Sequence, residues 1–123
     1  MKNVLKDIIS NLLINKNDRI NIKINKLKED VKLCLELSKL ELQNRKNGIE
    51  GESTIDQLEE VIIPDLTNLL TILDNKNSIP QKRVDRYSLA YGNAFRMWDW
   101  SMENPTELYK RLAHIHHDYQ DVL

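Results

Sequence analysis

Apolar residues return about once per helical turn along most of this chain. Val4, Leu5, Ile8, Ile9, Leu12 and Leu13 fall in pairs four apart, which predicts an amphipathic helix over about 3–14. Residues 15–18, Asn-Lys-Asn-Asp, are a turn or a soft point within one longer helix, and Asp18 is a good cap for a helix starting just after it. Residues 20–25, INIKIN, alternate as a strand would. However, Ile20, Ile24, Leu27, Val31, Cys34, Ser38 and Leu42 continue in steps of three or four, and a period held that long outranks six alternating residues. A helix over 18–45 is expected. It carries a second apolar set, Leu33, Leu37 and Leu40, far around its circumference from the first. A helix apolar on two sides needs two covers: the N-terminal segment, the rest of the molecule, or another subunit.

The stretch KNGIEGES (46–53) breaks the pattern with two glycines in polar surroundings. Thr54 and Gln57 then have the spacing of a capping box. Ile55, Leu58, Ile62, Leu66, Leu69 and Leu73 mark the core face of a helix over 54–75, in which Pro64 predicts a kink or two abutting helices. After the loop at 74–78, Pro80 opens a helix over 80–98 with an aromatic stripe, Val84, Tyr87, Tyr91, Phe95 and Trp98. Ala90, Gly92 and Ala94 leave room on it for another backbone to approach. Asn104-Pro105-Thr106-Glu107 combines a capping residue, proline at the first helical position and glutamate three after the cap, so the last helix is placed at 105–121. Its core face is Leu108, Leu112, Ile115, Tyr119 and Val122. Short connections make sequence neighbours antiparallel. The fold expected is therefore all-α, one domain over 1–123: an up-and-down antiparallel four-helix bundle, with residues 3–14 as a possible extra helix.

Composition agrees and adds limits. Three glycines and three prolines in 123 residues are too few for a strand-and-turn architecture. A net charge of −1 supplies no global field toward nucleic acid or anionic lipid. The lone cysteine, Cys34, suits a reducing compartment. Lys6 and Asp7 interrupt the apolar N-terminus, no small-residue cleavage site follows, and no run reaches the length of a membrane span, so cytoplasmic residence is the expectation. The Asn-, Ile- and Lys-rich vocabulary is that of a low-GC genome, bacterial or phage.

The candidate chemistry is concentrated in HIHHDYQD (114–121), which holds all three histidines. On a helical wheel His114, His117, Asp118 and Asp121 form one polar cluster pointing away from the predicted core, while His116 sits apart. Two ligands one turn apart can begin a divalent transition-metal site. Metal sites in bundles, however, draw inward-facing ligands from several helices, and no other segment offers a matching pair. A solvated face of His–Asp pairs, with no cofactor, is the plainer reading, and a pH-sensitive cluster or a partner contact made by the histidines are others.

Lys16, Arg19, Lys23 and Lys26 make a basic stripe that could follow a phosphate backbone, with a second basic spot at Gln81, Lys82, Arg83 and Arg86. With no helix-turn-helix pattern, a solvated face is preferred to nucleic-acid binding. No phosphate-binding glycine loop or nucleophile elbow occurs, and Cys34 sits on a core stripe as an inert thiol, so no catalytic residues are assigned. Leu89, Met97, Trp100 and Met102 lie off the aromatic stripe in the pattern of an exposed contact surface. Binding of another protein, or of a second copy, is the function expected. Leu33, Leu37 and Leu40 are the second surface.

Overall fold

A computed structural model of the chain describes the backbone of residues 4–74 and 89–122 and the side chains of residues 21–74 and 90–119. The longest element is α1, Val4–Lys46. The two helices expected at 3–14 and 18–45 are therefore one, and the soft point at residues 15–18 stays helical. INIKIN is helical too. The buried line of α1 is Leu27, Val31, Cys34 and Ser38, with Ile24 and Leu42 half-buried at its ends, as the spacing predicts. Ser38 returns its hydroxyl proton to the Cys34 carbonyl at 2.7 Å, so a polar residue occupies the core face without an unmet donor.

The end of α1 is chemically explicit. Gly48 adopts φ +82°, its N–H bonds to the Arg45 carbonyl, and the Ile49 N–H reaches back to Asn44. This closes the last carbonyls as a left-handed glycine cap does. The chain then wraps the Arg45 guanidinium, which donates to the Ser53 carbonyl at 2.7 Å and the Ile49 carbonyl at 3.2 Å and pairs with Glu41. Gly51 lies flat against that guanidinium, and a Cβ there would fall 1.8 Å from Nη2.

The next helical run has three parts: α2 (Ile55–Gln57), a π-helical turn (Leu58–Ile62) and α3 (Ile63–Asp74). The capping box is formed as expected, with Gln57 N–H on Thr54 Oγ1 and Thr54 N–H on Gln57 Oε1, both at 3.1 Å. The π turn answers the problem of Pro64. Its wider ring sends the Ile63 N–H to Leu58, five residues back, so a carbonyl loses its donor at the place where proline has no N–H to give. Leu58, Ile62, Leu66, Leu69 and Leu73 are buried, in agreement with the predicted stripe.

After residues 75–88 comes α4 (Leu89–Arg96) and then α5 (Glu107–Val122). The predicted helix 80–98 is described only from Leu89; Val84, Tyr87 and the basic spot at 81–86 lie outside the described residues. The core face of α4 is Ala90 and Ala94; of the expected aromatic stripe, Tyr91 and Trp98 are half-buried against the core and Phe95 is 46% exposed. The small residues win because they let α4 settle closely on α5 and the π turn. Gly92 is not what permits this, since a Cβ there would meet nothing within 4 Å. Asp65 of α3 ties α4 to it, its buried carboxylate accepting from the Ala90 N–H at 3.2 Å.

The cap of α5 also differs from expectation. Thr106, not Asn104, accepts the Tyr109 N–H (3.2 Å), and the helix starts at Glu107. Asn104 instead donates its own N–H to Ser101 Oγ.

The described residues are mostly helical and contain no strand. α1 is the spine, packed on α3 along one side and α5 along another. Lys46–Glu59 and Lys28–Asp74, each 2.9 Å, set α3 antiparallel to α1. Leu108 beside Glu41 and Arg45, with His114 beside Asp30, sets α5 antiparallel as well. Among the described residues no helix is long and apolar enough to cross a membrane.

Candidate functional site

The histidine-rich segment lies on α5, where Leu108, Leu112, Ile115 and Tyr119 are buried as the wheel predicts. Its polar side does not simply face solvent. His114 and Asp118, four residues apart, are brought together with Nε2 3.1 Å from Oδ2. Asp30 of α1 arrives from the opposite side, with its Oδ2 3.3 Å from the same Nε2. The three ligand-type atoms all lie within 4.8 Å of one another. No other segment was expected to offer a matching pair, and what antiparallel packing of α1 on α5 supplies is a single carboxylate.

The site is graded in exposure. His114 is about half exposed, whereas Asp30 and Asp118 are mostly covered. The Oδ2 atoms of both aspartates are shut off from water, and neither accepts a hydrogen bond of good geometry. Burial holds the Asp30 carboxyl above the usual carboxylate range. The adjoining Asp118 raises it further, while His114 and Lys26 work in the opposite direction.

His117 is exposed, as the wheel places it, but does not join this group. It lies on the side of α5 facing Tyr91, 6.4 Å from that ring and 5.6 Å from His116. His116 stacks on Tyr91 at 4.8 Å, and burial followed by the neighbouring His117 lowers its pKa. The side chain of Asp121 lies outside the described residues.

The surface expected around Trp100 is altered more deeply. Trp100 is 4% exposed, packed against Trp98 at 5.4 Å and edge-on to Tyr109 at 5.7 Å. α4 ends at Arg96, and Asp99 adopts φ 55°, a left-handed turn that aspartate tolerates. That reversal carries Trp100 beneath the loop, where Ser101 N–H on Glu52 ties the connection to residues 47–54. Trp100 is therefore a core residue and not an exposed anchor. Met97 and Met102 remain exposed, and the side chain of Leu89 lies outside the described residues.

The second predicted surface lies on α1. Leu33 and Leu40 are exposed, and Leu37 is half-buried against the core. Ile22, absent from the expected surface, is also exposed. Its signal was present in the spacing: Ile22, Lys26, Glu29, Leu33, Glu36 and Leu40 follow steps of four and three, and all six are exposed. Of the basic stripe, Lys23 and Lys26 are exposed, while the side chains of Lys16 and Arg19 lie outside the described residues.

Two open hollows flank residues 48–53, and both are lined by Arg45. Its guanidinium is already engaged by Glu41 and two carbonyls, which makes it a clamp for the loop and a poor anion receptor. Comparison with protein-family models, with curated proteins and with solved structures finds no match to the chain.

Proposed function

We infer that this is a non-enzymatic helical protein that works through protein–protein contact, and that the contact is made by the outward face of α1. The observation that carries the reading is the exposed seam Ile22, Lys26, Glu29, Leu33, Glu36 and Leu40. Steps of four and three keep such a seam on one side of a helix, nearly opposite the buried Leu27, Val31, Cys34 and Ser38. Because α1 is continuous from Val4, its own N-terminal part cannot fold back over the seam.

A second copy is the occupant best supported. The steps of four and three run the same in both directions about the level of residue 31, with Glu29 then facing the partner subunit's Leu33. An antiparallel copy sets Ile22 against the partner subunit's Leu40 and Lys26 against the partner subunit's Glu36. A parallel copy in register would instead set lysine on lysine and glutamate on glutamate, which is unfavourable. Cytoplasmic residence and an up-and-down arrangement of four helices complete the reading; the single cysteine and the antiparallel pairs around α1 support them.

Sedimentation across a concentration series tests the contact. Wild-type protein should associate, and the Leu33→Glu/Leu40→Glu variant should stay monomeric with unchanged helicity. A wild-type chain that is monomeric throughout would sink the self-association reading.

A further inference from the structure

We propose that Asp30, His114 and Asp118 bind a divalent transition-metal ion that pins α5 to α1. This goes beyond the contact surface of α1 and rests on separate residues. Two of the groups are one helical turn apart on α5, so their side chains converge without any help from loops. The third comes from a different helix, and sites between packed helices are built in this way.

Distance supports the assignment. Ligands held 2.0–2.1 Å from a tetrahedral ion stand about 3.3 Å apart, and closer around an octahedral one. The two Nε2–Oδ2 separations are 3.1 and 3.3 Å.

Polar bookkeeping supports it independently. Two carboxylate oxygens, both closed to solvent, share a small space with an imidazole nitrogen and accept no well-formed hydrogen bond. Carboxylate oxygens closed to solvent and poorly served by a donor call for a positive species among them. An imidazolium at His114 is close enough but does not aim its Nε2–H well at either oxygen. A proton held between Asp30 and Asp118 serves those two oxygens and leaves Nε2 unused. A metal ion uses all three lone pairs at once.

The ligand set also limits which ion. One imidazole with two carboxylates suits borderline ions such as zinc, cobalt or nickel better than calcium, which prefers six to eight oxygens. His114, 54% exposed at its side chain, lies on the solvent side of the group. Lys26, the lysine that acts on Asp30 through space, opposes a cation there, so affinity should fall below that of a closed four-ligand site.

Zinc titrated into chelator-stripped full-length protein, followed by calorimetry, tests the site. One ion per chain is expected, with the melting temperature raised by zinc and lowered again by chelator. Asp30→Asn and His114→Gln should each weaken binding more than about tenfold, while His117→Gln leaves it unchanged. His114 is half exposed, so the second variant keeps its fold even if the first is destabilised. Absence of zinc uptake by the wild-type chain would overturn the proposal. So would binding that survives Asp30→Asn and His114→Gln but is lost in His117→Gln.

Discussion

Cys34 illustrates how burial alone disposes of a reactive group. It is fully enclosed on the core line of α1, and its thiol is pushed up to about 12, chiefly because burial penalises the thiolate. At pH 8 the folded chain should resist alkylation by iodoacetamide, and the denatured chain should react fully. Rapid labelling of the native protein would show that Cys34 is not enclosed. The linkage has a definite sign. Between the ordinary value near 9 and about 12 the unfolded thiol has lost its proton while the folded one keeps it. Stability contributed by this group is thus present below pH 9 and declines as pH rises through that window. The inertness of Cys34 was legible from its place on the stripe. The burial of Trp100 was not, because it depends on Asp99 turning left-handed after α4 has ended, and no periodicity reports a single backbone angle. Asp30 was missed for a related reason. Its role is set by which turn of α1 meets which turn of α5, and one chain's spacing does not contain that register.

At the level of elements, ends were read less well than faces. The core lines of α1, α3 and α5 are those the spacing predicts, since each rests on many residues agreeing with one another. A boundary rests on two or three. Thr54 with Gln57 was legible because both halves of the box are formed. At α5, Asn104 and Thr106 both offered a capping oxygen, and the one whose helix buries Leu108 and Tyr109 prevails. Thr106→Ala should therefore cost about 1 kcal/mol of stability in denaturant unfolding. Asn104→Ala, which retains the backbone N–H bonded to Ser101, should change it little. The reverse ranking would put the cap at Asn104. The π turn was foreseen only as a disturbance at Pro64. Proline announces that a helix must adjust, and packing of Leu58 and Ile62 selects how.

Across the whole molecule, α1 sets the plan. Its 43 residues span about 65 Å. Its antiparallel neighbour α3 ends at Asp74, opposite Lys28, so α1 runs 24 residues, about 36 Å, past that level. A spine of this length with apolar residues on two faces has one face buried by α3 and α5. The other face is the one we assign to a second copy. Paired cysteines at the two ends of the seam test that arrangement most directly. In a Cys34→Ala background, the Ile22→Cys/Leu40→Cys chain should form a covalent dimer under mild oxidation, while each single cysteine variant stays free of cross-links, because like positions lie far apart in an antiparallel pair. Ready cross-linking through Leu40→Cys alone, or no cross-linking in the double variant, would contradict it.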